Sequence, residues 1–134
     1  MRDNLIAFSA TAATLLVLDI VWLTQVMGPM FQRALGPILA ENVNYTAAGA
    51  FYLLYAVGTV FFAVRPALDS GHAGEALLKG AALGLLAYAT YDLTNLATLK
   101  AWPVRLAALD VAWGAAVTGA AAMAGAWVAL RLAR

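Results

Sequence analysis

The sequence predicts an all-α polytopic membrane protein, a four-transmembrane-helix bundle, and three observations carry that expectation. Hydrophobic residues make up 64% of the chain and charged residues 11%, with a mean hydropathy of +0.82, where an ordinary soluble domain is about one quarter charged. Four apolar stretches each reach the roughly 20 residues needed to cross about 30 Å of hydrocarbon at about 1.5 Å per residue. Between them lie polar links rich in proline and glycine, where irregular backbone can reach water. The same composition excludes other classes. A formal net charge of +1 with no run of like charges argues against a nucleic-acid partner. The absence of cysteine removes disulfides, thiolate metal sites and thiol chemistry.

A single membrane domain over residues 1–134 is expected at this length. The first helix is expected over residues 5–27. Arg2 and Asp3 followed by an apolar run resemble a secretory signal, but the run exceeds the usual h-region of about 7–15 residues. No Ala-x-Ala-like site follows before Gly28 and Pro29, so the segment is expected to be retained. The longest link follows, with Gly28, Pro29, Gly36, Pro37, Glu41, Asn42 and Asn44, and leads to a second helix over 45–64. Arg65, Pro66, Asp69, Ser70, Gly71 and His72 precede a third helix over 76–98. The short link Lys100-Ala-Trp-Pro103 precedes a fourth over 106–130. Pro66 and Pro103 are expected at helix boundaries. Trp22, Trp102 and Trp127 stand near segment ends, where aromatic belts form.

Cytoplasmic ends of membrane helices carry the excess of lysine and arginine. Placing both termini inside puts Arg2, Arg65, Lys79, Arg131 and Arg134 on that side, against Arg33, Lys100 and Arg105 outside. A multi-pass protein of the bacterial cytoplasmic membrane with both termini cytoplasmic is the resulting expectation. Gly80 and Gly84 have the G-x-x-x-G spacing, and the fourth helix contains Gly114, Gly119, Gly125 and many alanines, so close helix contact is expected. Contact within the bundle carries about twice the weight of a homodimer through Gly80, Gly84 or the fourth helix. The lipid bilayer is the other partner.

Three carboxylates fall inside segments expected to be dry: Asp19, Asp92 and Asp110. An aspartate at a helix centre costs about 2.5–3.5 kcal/mol on insertion scales, so such residues face the bundle interior. Counted at about 1.5 Å per residue, they lie about 12, 9 and 6 Å from the outer ends of their helices. All three therefore fall in one leaflet, the outer one in this orientation. Tyr52, Tyr55 and Thr59 share one face of the second helix, and Tyr88, Asp92 and Asn95 one face of the third. Leu18-Asp19-Ile-Val-Trp22 and Leu109-Asp110-Val-Ala-Trp113 repeat the pattern L-D-x-x-W in helices that run oppositely. That echo is consistent with an inverted duplication and equally with chance. A polar pocket open to the outer side, drawing on Asp19, Asp92, Asp110, Asn95, Tyr88, Tyr52, Tyr55, Trp22 and Trp113, is the reading that follows. Like charges this close would share a proton, and Arg33, Lys100 and Arg105 stand near enough to the mouth to offer counter-charge. If a metal binds, it is a hard cation such as magnesium, calcium or manganese on Asp19, Asp92 and Asp110. His72 is alone and expected to be solvated. No nucleotide, hydrolase or zinc-protease motif is present.

Phe51-Tyr-Leu-Leu-Tyr-Ala-Val-Gly58, Asp110-Val-Ala-Trp-Gly114 and the run from Tyr88 through Tyr-Asp-Leu-Thr-Asn to Pro103 resemble the DUF2177 family of predicted bacterial membrane proteins. The resemblance implies a short bacterial four-helix membrane protein and specifies no activity. Three functions are therefore carried forward. The first is a pocket that binds or acts on a small or lipidic ligand or a cation, with a carboxylate as general base and tyrosine as donor if chemistry occurs. The second is a small proton-coupled transporter. The third is an accessory subunit in which the aspartates are interhelical hydrogen-bond acceptors.

Overall fold

The computed structural model describes residues 1–133, so Arg134, counted above among the basic residues, lies outside the described residues. Six α-helices are connected as four rods: α1 (Arg2–Trp22) and α2 (Gly28–Leu35), then α3 (Tyr45–Thr59) and α4 (Arg65–Ser70), then α5 (Ala73–Thr98), then α6 (Val104–Leu132). No strand occurs among the described residues. Arg2 donates from its guanidinium to the Leu132 carbonyl at 3.3 Å, which places both chain ends at one end of the bundle. The rods alternate in direction. Three spans, Arg2–Ile38, Tyr45–Ser70 and Val104–Leu132, are individually long and apolar enough to cross a membrane. At 26 residues α5 is as long as the second of these, but Glu75, Lys79 and Asp92 make it more polar.

Of the two prolines expected at helix boundaries, Pro103 stands at one, as the N-cap of α6, but Pro66, like Pro29 of the expected first link, lies inside a continuing rod. A π-helical segment, Leu23–Met27, joins α1 to α2 immediately before Gly28-Pro29, and another, Val60–Val64, joins α3 to α4 immediately before Arg65-Pro66. Proline lacks the N–H and its ring collides with the carbonyl four residues back. A widened π turn re-spaces those carbonyls and lets the helix continue. The first rod consequently runs through the stretch expected to be a link, as far as Ile38. Asn44 then opens α3 as a helix cap, its side-chain oxygen accepting from the Ala47 amide at 3.0 Å. Gly71, at φ 76°, reverses the chain into α5.

The most extensive helix contact is α5 on α6, followed by α1 on α6, whereas α3 packs chiefly on α1. Glycine makes the α5–α6 approach. A β-carbon on Gly84 would collide with the Gly114 carbonyl, and one on Gly80 would lie 2.8 Å from both the Ala122 methyl and the Thr118 carbonyl. Gly80 and Gly84 are therefore occupied inside the chain, which removes them as a homodimer face; Gly114, Gly119 and Gly125 of α6 are buried in the same way. The interior is layered. Ala7, Ala63, Val64, Ala67, Ala76, Ala122 and Ala126 fill the end that carries the termini. Leu15, Ala56, Val117 and Ala121 form the middle. At the far end α2 lays Phe31, Ala34 and Leu35 against Met27, Trp102 and Leu106, covering the turn between α5 and α6. The carboxylates lie between the middle layer and this cover.

Candidate functional site

Asp19 is 5% exposed. Both of its carboxylate oxygens are satisfied: the Tyr52 hydroxyl donates to Oδ2 and the Trp113 indole N–H to Oδ1, each at 2.9 Å. Such bonds replace the hydration a carboxylate loses in hydrocarbon. Trp22 stacks on Trp113 with ring centroids 4.6 Å apart and planes 3° from parallel, and its indole N–H lies toward Asp110. The two L-D-x-x-W patterns thus close on each other. The tryptophan of α6 serves the aspartate of α1, and the tryptophan of α1 faces the aspartate of α6.

Asp92 and Asp110 form a second unit. Their carboxyl groups face each other across the α5–α6 contact, with Trp102 beside Asp92. Asp92 is fully buried, and neither of its oxygens accepts a hydrogen bond. The indole N–H groups of Trp22 and Trp102 are also buried without a partner. Hence Trp22 and Trp102 are interior residues, and only Trp127 of the expected belt is well exposed, with the Arg131 guanidinium 5.0 Å from its ring.

A cavity of about 400 Å³ opens beside Asp19 and Asp110. Phe51, Tyr52 and Tyr55 of α3 form one wall, and Ala87, Tyr88 and Tyr91 of α5 the opposite one. Trp22 and Trp113 form the back, while Leu23, Met27 and Phe31 form the roof. Direct contact between α3 and α5 is sparse until the π segment Val60–Val64, so the cavity mouth lies between these two helices. Phe51 and Tyr91, at 49% and 52% exposed, flank it. The Tyr55 hydroxyl bonds the Thr118 hydroxyl at 2.7 Å on the side nearer the termini. Tyr88 packs its ring where Gly114 has no side chain.

Two expected members lie elsewhere. Asp92 is not in the cavity wall, because the turn of α5 that carries it points at α6. Asn95 is half-buried beside Tyr91 and is also outside the lining. The expected three-carboxylate metal site is not formed: among the described residues no three acidic or histidine side chains are grouped to hold an ion. Asp19 is committed to Tyr52 and Trp113, while Asp92 sits behind Asp110. Nor do Arg33, Lys100 and Arg105 supply counter-charge. The ion pairs among the described residues, Arg2–Asp3 at 3.9 Å and Lys79–Glu75 at 2.6 Å, involve residues of the end that carries the termini. His72 is exposed, its Nδ1 2.7 Å from the Ser70 carbonyl.

The model of the family described as "Predicted membrane protein (DUF2177)" matches residues 4–127. The chain belongs to that family. No curated protein and no solved structure matches it. In this DUF2177 member the lining residues outside the candidate set expected from the sequence are Leu23, Met27, Phe31, Phe51, Ala87 and Tyr91. Tyr91 lies three residues from Tyr88, and Phe51 four from Tyr55, so helical spacing could have found both. Phe31 gave no such signal, because Gly28-Pro29 reads as a break. Thr118 was hidden in a helix dominated by alanine and glycine.

Proposed function

We propose that this membrane protein binds an amphipathic, lipid-borne ligand in the cavity between α3 and α5, admitting it sideways from the bilayer. One observation carries the reading: an aromatic-walled space of about 400 Å³, with two carboxylates at its depth, has its mouth between two membrane helices that scarcely touch. Concave, mainly apolar sites with a few convergent polar groups are the usual form of small-ligand pockets. The ligand's apolar body fits among Phe51, Tyr55, Tyr88 and Tyr91, and its polar end is directed to Asp19 and Asp110. With the termini cytoplasmic, this pocket belongs to the outer leaflet. The hydrogen-bonded Tyr52–Asp19 pair is the group best placed to move a proton should the bound ligand react.

Filling the space tests the proposal. Ala87 is a half-buried lining residue whose methyl faces the cavity. Native mass spectrometry of the protein purified from membranes is expected to retain a co-purifying lipid on the parent and to lose it on Ala87→Trp, with helix content unchanged by circular dichroism. Equal retention on both would defeat the pocket.

Proton-coupled transport is favoured by one separate observation, the Asp92–Asp110 pair. Two facing carboxylates with no ion-pair partner among the described residues can satisfy the bare Asp92 oxygens by holding a proton between them. The end carrying the termini is filled by a packed alanine and valine layer, which makes transport the second reading. Retained uptake by Asp92→Asn would reject it.

A further inference from the structure

We infer that the ligand of this cavity carries an organic cation, an amine or quaternary ammonium group on an apolar body. The inference rests on the pocket reading above and names its ligand class. Three features of the wall select charge sign and type together.

The first is uncompensated acidity. Asp19 and Asp110 are 5% and 7% exposed and both line the cavity, yet among the described residues no lysine, arginine or histidine pairs with either. Asp19 is held by two donors, whereas Asp110, nine-tenths buried among Asp92, the Trp22 indole and the cavity, accepts no well-aligned hydrogen bond among the described residues and keeps acceptor capacity for a ligand. An anionic headgroup reaching Asp19 and Asp110 would meet like charge and acceptors where it needs donors. The second is the aromatic surface. Trp22 and Trp113 stack as one plate behind the carboxylates, and Phe51 and Tyr55 stack 5.4 Å apart on the opposite wall. Ring faces attract cations, tryptophan most strongly, and the attraction grows when water is excluded. The third is the shortage of oxygen donors. Magnesium and calcium require six or more oxygen ligands in a tight shell, and the grouping for a metal ion is absent among the described residues. An alkylammonium surrenders its hydration more readily than a small divalent ion, and its alkyl surface suits rings. Carboxylate, ring faces and apolar walls together describe a receptor for that cation.

The experiment uses the full chain in lipid nanodiscs with two probes of the same shape and opposite charge, tetraphenylphosphonium and tetraphenylborate. Binding is counted as the saturable part removed by Ala87→Trp. The expected result is saturable tetraphenylphosphonium binding that weakens at least tenfold in Asp110→Asn, with no comparable tetraphenylborate binding. Asp3→Asn, which removes a carboxylate at the other end of the bundle, is expected to bind as the parent does. Asp19→Asn provides a second carboxylate variant should Asp110→Asn fail to fold, with the same weakening expected. If tetraphenylborate binds as well and is lost in Ala87→Trp, the pocket stands and the cation selectivity is overturned. If neither probe binds saturably, both the selectivity and the pocket are overturned.

Discussion

Asp19 and Asp92 are the same side chain in two opposite situations, and one substitution distinguishes them. Asp19 receives two donors, so Asp19→Asn turns an amide toward the Tyr52 hydroxyl or the Trp113 N–H and loses one good bond. Membrane hydrogen bonds of this kind are worth about 0.6–1.7 kcal/mol, and a loss of that size is expected. Asp92 receives none in good geometry and faces Asp110, so Asp92→Asn offers an N–H to the Asp110 carboxylate and keeps an oxygen toward the Trp102 indole beside it. The variant is expected to unfold within about 1 kcal/mol of the parent or later, whereas Asp92→Ala costs about 1–3 kcal/mol by stranding Asp110. Tryptophan fluorescence during sodium dodecyl sulfate unfolding in micelles measures all three, and an Asp92→Asn protein less stable than Asp19→Asn would overturn the assignment. The burial of Asp19, Asp92 and Asp110 was legible from their cost in hydrocarbon. Which neighbour each would choose was not, because spacing along a helix places a residue on a face within about a quarter turn, and Asp92 lies on the boundary between the cavity and α6. The L-D-x-x-W echo was legible as a pattern, and its meaning came only from the pairing of α1 with α6. A tandem duplication of two-helix halves would relate the first rod to the third, not to the fourth, so the reciprocal Asp–Trp contacts are a local pairing.

At the scale of the helix, small residues set which rods meet. A β-carbon on Gly84 would collide with the Gly114 backbone, which cannot move without parting α5 from α6. Gly84→Ala is accordingly expected to destabilise by at least about 1–3 kcal/mol. Gly74, in the first turn of the same helix, is exposed, and a β-carbon there would meet nothing within 4 Å. Gly74→Ala should stabilise by about 0.4–1 kcal/mol through the unfolded chain alone. Thermal melts in one detergent compare the pair, and similar effects from both would show that the α5–α6 approach is not glycine-limited. The G-x-x-x-G spacing made close contact legible, but the choice between an internal and an external partner depends on where Gly114 and Thr118 fall on α6. The π segments were not legible. Gly28-Pro29 and Arg65-Pro66 carry the local signature of a helix end, and the continuation past them reflects the packing of α2 on Trp102 and Leu106 and of α4 under α5. Reading Pro29 as a break also hid Phe31 from the site.

For the whole molecule, the consequence is a bundle with two unlike ends. Alanine and valine close the end with the termini, and Arg2, Arg65, Lys79 and Arg131 belong to that end. Tryptophan, tyrosine and aspartate occupy the other, where Arg33, Lys100 and Arg105 are exposed and unpaired with any carboxylate among the described residues. The fold class was legible because four apolar stretches and a charged fraction of 11% admit few other solutions. Basic residues outnumber the other side's at the end with the termini, and by the positive-inside tendency we propose that this end is the cytoplasmic one. On that proposed orientation the cavity faces the outer leaflet, and the proposed ligand comes from there. The absence of cysteine makes this directly measurable, since any introduced thiol is the chain's only one. Glu41 and His72 are both exposed, the first in the link before α3 and the second in the link before α5. In intact cells a membrane-impermeant maleimide is expected to label Glu41→Cys and to spare His72→Cys until the membrane is opened. The reverse pattern would invert the protein in the membrane and move the aromatic cavity, with its two carboxylates, to the cytoplasmic leaflet.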